Sequence, residues 1–236
     1  MDKQRSKDLE QLCDKLCITM RNLQLLDTAL THTSYAYEAK QLPRPEHNER
    51  LEFLGDSVVS VVVSTYIYAK YPDKDEGYLS KLRAFLVCEA TLARLAKQVG
   101  LGEYLRLGNG ELRVSGRERP SILADAFEAV VGAYYLDQGL EQVRIYLDRL
   151  LLCHVDELAQ EGIYLDYKTR LQEEVQSRGA VNIVYEQLAM DGPAHDRTFT
   201  MRVVVDGLEW GRGSGHSKKE AEQHAAQVAL QKKTSE

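Results

Sequence analysis

Cysteine is sparse and unpatterned in this chain. Cys13, Cys17, Cys88 and Cys153 are scattered without zinc-ligand spacing, and a chain of 236 residues has little need of a disulfide framework. Free thiols in a cytoplasmic protein are the expectation. Long apolar runs are missing too. No uninterrupted one reaches the ~20 residues of a membrane span, so no membrane partner is expected. The opening residues, Met1 to Asp8, are polar and lack the apolar stretch of a secretory signal. Positive charge is not in excess either. The formal net charge is −6, which taken alone argues against nucleic acid. Residues 162–236 hold 10 Lys/Arg and 11 Asp/Glu, a net of −1, which leaves −5 for the rest. Nucleic-acid binding would have to come from local placement of cations, and from metal in the acidic part.

What is present is a soluble composition, 44% apolar and 28% charged, around one unusual stretch, Asn48-Glu49-Arg50-Leu51-Glu52-Phe53-Leu54-Gly55-Asp56-Ser57. Read as a helix, it puts Glu49, Glu52 and Asp56 on one face, beside an apolar face of Leu51, Leu54 and Val58. The residues three and four positions from Glu52 include no cation, and like charges at that spacing repel. A second acidic pair, Asp125 and Glu128, sits in the apolar stretch Ser121 to Val130. One such pair reads as ordinary surface acids. Two helices, each offering acids from an apolar setting, are what a metal cluster between helices requires. Carboxylate oxygens suit Mg²⁺ or Mn²⁺.

Taken in order, residues 6–16 and 23–37 read as helices, and Pro43 and Pro45 mark a loop. His32 is either a ligand or base, or a packed side chain. Val58 to Thr65 is rich in β-branched residues, which favour strands. It reads as helix nonetheless, because the periodic segment before it has no breaker and Pro72 is the first stop. A helix apolar all round belongs in the core. Helices follow over 78–86 and 89–99, then a polar loop over 108–120. A further helix opens with Ser121 as N-cap, and another spans 140–160. The pattern then changes. Residues 166–178 read as a helix ended by Gly179, and 182–189, 198–205 and 208–212 as strands, with Asp206-Gly207 as a hairpin turn. Residues 217–232 read as a closing helix. The expected organisation is multidomain: an all-α domain over 1–160, a linker over 161–164, and an α+β domain of order α-β-β-β-α over 165–234.

The last module carries its own chemical signal. Ser217 and Glu220 form a capping box, and Lys218 and Lys219 occupy the helix's first turn. Cations there oppose the macrodipole, at roughly 0.3–1 kcal/mol each. A phosphate against the helix N-terminus reverses that sign. Gly213 and Gly215 are expected to allow close backbone approach.

The stretch at 48–57 resembles the ribonuclease III signature, and Leu123-Ala124-Asp125-Ala126-Phe127-Glu128-Ala129 resembles that family's second acidic motif. Tyr185-Glu186, Gly192-Pro193-Ala194-His195, Gly211 to Gly215 and Ser217-Lys218-Lys219 resemble a double-stranded RNA-binding domain. The resemblance implies an Mg²⁺-dependent endoribonuclease, with Mn²⁺ as a substitute. Metal-activated water would cut double-stranded RNA, leaving 5′-phosphate and 3′-hydroxyl ends with short 3′ overhangs. Ribosomal RNA precursors and structured messages are the expected substrates. It implies a homodimer formed through the endonuclease domain. Glu52, Asp56, Asp125 and Glu128 match the metal-binding acids, Asp56 and Glu128 the catalytic ones, and Glu49 and Glu76 auxiliary acids. Thr169, Gln172, Glu173, Gln176 and His195 match minor-groove contacts, and Ser217, Lys218 and Lys219 the phosphate contacts, of a domain that reads A-form shape.

Two positions depart from the family pattern. Ile183 stands where a proline is common, and Glu222 stands where eukaryotic domains often have a third basic residue. The alternative reading is a protein that binds duplex RNA without cutting it. The loss of any of the four acids would favour it, and all four are present.

Overall fold

The computed structural model describes residues 1–40, 42–164, 167–177, 181–193 and 197–233. It divides into two compact units, Met1–Asp156 and Glu157–Glu236. In the first, α1 (Lys3–Leu16), α2 (Leu23–Ala29) and α3 (Thr33–Glu38) precede a long helix, α4 (Glu49–Lys70). After it come α5 (Glu76–Leu86), α6 (Glu89–Gln98), the short α7 (Asn109–Arg113), α8 (Pro120–Gln138) and α9 (Leu140–Leu150). α10 (Val155–Tyr164) leads out of the unit.

The first unit is built on the pair α4 and α8. Val58, Val59, Val62, Val63 and Ile67 of α4 are buried, and so are Ala126, Phe127, Val130, Val131 and Ala133 of α8. Packing of this apolar face overrides the strand propensity of the valines. α4 is long and apolar enough for a membrane span by composition alone. It is not buried all round, however: Phe53, Val61 and Tyr68 are exposed. The two helices cross where each has a glycine. A Cβ on Gly132 would stand 3.1 Å from the Gly55 nitrogen and closer still to the Leu51 carbonyl oxygen, so the backbones meet with no side chain between them.

Several local expectations are corrected. The single helix over 23–37 is two, α2 and α3. Between them Thr31 bridges to Arg106, with the Arg106 amide donating to Leu30 O and the His32 amide to Arg106 O. His32 then caps α3. Residues 108–120 are not all loop. α7 forms because the Glu38 carboxylate accepts from the Asn109 amide and side chain, at 2.8 Å each, and from the Gly110 amide at 3.4 Å. α8 starts at Pro120, a residue suited to the first helical position, so Ser121 lies inside the helix rather than at its cap. The helix expected over 140–160 is broken by a tight turn at Leu152–His154, and residues 161–164 continue α10 in helical form.

The second unit comprises α11 (Tyr167–Gln176), β1 (Ile183–Asp191), β2 (Thr198–Val205), β3 (Leu208–Gly215) and α12 (Lys218–Lys233). The sheet is antiparallel in the order β1-β2-β3. Asp206 and Gly207 turn between β2 and β3 with φ of 48° and 81°, the left-handed pair that such a hairpin needs. Tyr167, Leu171 and Val175 from α11, Val203 and Val205 from β2, and Ala225, Ala226 and Ala229 from α12 make the core. β3 runs further than 208–212, and this changes what its glycines do. A Cβ on Gly211 would stand 2.7 Å from the Ala229 nitrogen, and one on Gly215 2.7 Å from Glu220 Cγ. Gly211, Gly213 and Gly215 thus let α12 lie close on the strand, and their closest neighbours belong to that helix rather than to an open anion site.

Candidate metal centre and nucleic-acid face

α4 is anchored at its start by Asn48. This residue is buried, its amide donates to Thr31 O at 2.9 Å, and its carbonyl accepts from the amides of Leu51 and Glu52. The first turn then presents Glu49 and Glu52, acids that suit the positive end of the helix. Because α8 crosses α4 at Gly55 and Gly132, Asp125 and Glu128 are brought against Glu52. One carboxylate oxygen from each of Glu52, Asp125 and Glu128 lies within 4.8 Å of the others. None of the three has a hydrogen-bond or ion-pair partner among the described residues.

Electrostatics report the cost of that arrangement. Burial, and then the charges of Asp56, Glu52 and Asp125, push the Glu128 carboxyl up to about 8. Glu52 is raised by burial and then by Asp125, Glu49 and Asp56. Asp125 is raised by burial and then by Glu89, with His32 acting in the opposite sense. Half-buried carboxylates this close cannot all ionise without a cation. Three hard oxygen donors from two rigid helices fit a divalent metal such as Mg²⁺ or Mn²⁺.

The remaining predicted acids are less tightly gathered. Asp56 is exposed one turn beyond Glu52, outside the three-oxygen group, yet close enough to act on Glu128. Glu49 is exposed, with His47 Nδ1 3.9 Å from its carboxylate. Glu76 is exposed at the start of α5, where it accepts from Ser80 Oγ at 2.6 Å. His32 is half-buried. Its Nδ1 lies 2.8 Å from Ser34 Oγ, which itself accepts from the Gly108 amide at 2.9 Å. Glu89, the first residue of α6, is the charge that sequence reasoning missed. Only the packing of α6 on α8 brings it near Asp125, and nothing in its local sequence signals this.

In the second unit, Thr169, Gln172, Glu173 and Gln176 share one face of α11 at i, i+3, i+4 and i+7. The last three are exposed and Thr169 is half-buried. Lys218 and Lys219 are exposed at the start of α12. Ser217 Oγ accepts from the Glu220 amide at 3.2 Å, while the Glu220 carboxylate accepts from the His216 amide at 2.7 Å. The cap is therefore formed, with its return bond shifted by one residue. His195 lies outside the described residues.

Comparison with known proteins agrees with both units. A family profile described as Ribonuclease-III-like matches residues 22–155, and one described as double-stranded RNA binding motif matches residues 167–233. The chain is 47% identical over 230 residues to Ribonuclease 3 of Geobacillus kaustophilus, covering 98% of this chain and 92% of that one. It is 50% identical over 218 residues to Ribonuclease 3 of Bacillus cytotoxicus, covering 92% and 88%. The crystallised nuclease domain of ribonuclease III from Campylobacter jejuni, described for flexibility in a region involved in dimer formation, superposes with a TM-score of 0.55 at 40% identity. It covers 60% of this chain and 94% of its own.

Proposed function

The chain belongs to the ribonuclease III family, and from that premise we propose how its residues carry the family's reaction. It is a metal-dependent endoribonuclease for double-stranded RNA that works as a homodimer. Glu52, Asp125 and Glu128 hold the metal, which is Mg²⁺, with Mn²⁺ able to replace it. When bound, the cation supplies Lewis-acid activation of the attacking water and neutralises charge at the phosphate. Asp56 and Glu128 are the acids we take as catalytic; a cation held by the cluster would keep Glu128 ionised, offsetting the burial and acidic neighbours that raise its pKa. Asp56 lies on the open side of the cluster and completes the set of four acids. Glu49 and Glu76 act as auxiliary acids. The products carry 5′-phosphate and 3′-hydroxyl ends with short 3′ overhangs, and ribosomal precursors and structured messages are among the substrates.

Phe53, 78% exposed on α4, stands beside a groove lined by Leu25, Tyr37, Leu54 and Leu136. This surface is suited to a second copy of the chain. The second unit supplies the duplex reader. α11 meets a minor groove through Thr169, Gln172, Glu173 and Gln176, His195 meets a second one, and Ser217, Lys218 and Lys219 meet phosphates across the intervening major groove. We propose residues 161–164, at the end of α10, as the linker between the domains, a few residues beyond the division of the compact units at Asp156. The four free thiols support a cytoplasmic location.

The observation that carries the assignment is the approach of the Glu52, Asp125 and Glu128 carboxylates across two helices. Because all four acids are present in the sequence, the binding-only alternative has no missing residue in its favour. Glu128→Gln keeps the shape and removes a charge. Cleavage at ordinary Mg²⁺ should be abolished and Mn²⁺ affinity weakened, with duplex binding retained in EDTA. Full cleavage by this variant would refute the assignment.

A further inference from the structure

The RNA-facing side of the second unit contains an ion pair that its expected contacts do not use. Lys168 Nζ lies 2.6 Å from Glu222 Oε2, joining α11 to α12. The same Nζ sits 4.4 Å from the centre of the Tyr185 ring, and the Lys168 amide donates to Gln223 Oε1 at 3.0 Å. The lysine is therefore held from three sides. The side chains are 35% and 22% exposed, so solvent screens the pair less than a fully open one.

Its position gives the pair a consequence. Lys168, Gln172 and Gln176 recur at i, i+4 and i+8, so Lys168 continues the stripe of α11 assigned to the minor groove. Glu222 follows Lys218 by four residues and Lys219 by three, so it continues the face of α12 assigned to phosphate. The pair thus lies between the two contact surfaces. Without Glu222 this side would offer three cations, Lys168, Lys218 and Lys219. With it, Lys168 is neutralised within the domain and a carboxylate stands one turn from the phosphate-facing lysines.

We propose that Glu222 is an affinity-limiting residue of the duplex-binding face: it holds Lys168 in an intradomain ion pair and so withholds a third cation from the RNA backbone. Glu222 touches no reacting atom; it acts through Lys168. The inference rests on the reading of Lys218 and Lys219 as phosphate contacts.

The test uses the full chain in EDTA, where it binds without cutting, and an RNA duplex longer than the domain's ~16 bp footprint. Affinity is measured by fluorescence anisotropy as a function of salt. Each cation that meets a phosphate adds about 0.9 to the slope of log affinity against log salt, or about 3.5-fold over a fourfold rise in salt. Glu222→Gln should tighten binding severalfold at low salt and steepen the slope by about that amount per engaged domain. An unchanged slope in folded Glu222→Gln would overturn the proposal.

Should that variant fail to fold because Lys168 is left unpaired, the double variant Lys168→Met with Glu222→Gln, which leaves no lone charge, decides the matter. A wild-type slope in the double variant supports the proposal, since Lys168 was already withheld. A slope flatter by about 0.9 means that Lys168 meets phosphate in the wild type and overturns it. Lys218→Ala with Lys219→Ala, run in parallel, separates the two readings. If that variant flattens the slope while Glu222→Gln does nothing, only the Glu222 inference fails. If it leaves the slope unchanged, the phosphate-contact reading fails as well.

Discussion

Gly55→Ala is a small change with a large expected effect. A Cβ at this position would stand 2.5 Å from the Glu128 carbonyl carbon and closer still to its oxygen, whereas ordinary contact begins near 3.4 Å. Relieving the clash takes more than about 1 Å of separation between α4 and α8, since the nearest obstacle is the Glu128 carbonyl oxygen, which is backbone and cannot rotate away. Two effects oppose each other in stability. Alanine gains roughly 1 kcal/mol of helix propensity over glycine, while overpacking a tight core costs about 1–3 kcal/mol, or more where backbone must shift. The net expectation is a loss of about 0–2 kcal/mol, or more where backbone shifts, which lowers the melting temperature. Activity should suffer far more. Glu52 rides on one helix and Asp125 and Glu128 on the other, metal sites tolerate about ±0.2 Å in ligand distance, and a 1 Å misplacement can cost ~100-fold in rate. Single-turnover cleavage of duplex RNA and Mn²⁺ affinity would both be measured. Gly110→Ala serves as control, because nothing lies within 4 Å of its added Cβ, and it should behave as wild type. A Gly55→Ala protein with wild-type rate and metal affinity would refute the claim that this crossing sets the site.

Asp27 is buried between Arg5, at 2.7 Å, and Arg106, at 3.0 Å. Asp27→Asn should cost about 3–5 kcal/mol in urea unfolding, because it leaves a buried guanidinium uncompensated; an unchanged midpoint would show that the pair is not what holds α1 in place. The Glu128 carboxyl gives a pH signature with a definite sign. Its folded pKa is raised from 4.5 to about 8, so the folded state binds the proton more tightly than the unfolded one. The stability of the metal-free wild type relative to Glu128→Gln should therefore fall as pH rises from about 4.5 to 8 and level off above. The drop should be on the order of 1–3 kcal/mol once solvent access is discounted. Thermal melts in EDTA across that range would check it, and a flat difference would contradict the coupling among the acids.

Much of this was legible in the sequence because it depends on local periodicity. The acids at 49, 52, 56, 125 and 128 lack cations at helical spacing, and that lack survives folding as the unpartnered group of Glu52, Asp125 and Glu128. The run Val58 to Thr65 could be read as helix from the absence of a breaker. Other features depend on residues far apart in the chain. The break between α2 and α3 comes from a bridge to Arg106, and α7 is held by the Glu38 carboxylate, so neither has a local signature. Gly55 and Gly132 sit inside helices, where glycine is unfavourable. That was a usable signal for a close crossing, though only the packing identifies each as the other's partner. The glycines of β3 carried a real signal too, but it reflects α12 packing on the strand.

The central claim is that these acids cut duplex RNA with a divalent metal. Its most direct test is a cleavage assay on a fully paired RNA duplex with Mg²⁺, with Ca²⁺ and with EDTA, alongside single-stranded RNA and duplex DNA. Cutting of the RNA duplex alone, with Mg²⁺ and not with EDTA, to short products with 5′-phosphate ends is the predicted result. A duplex that is bound but left whole under every condition would contradict the account.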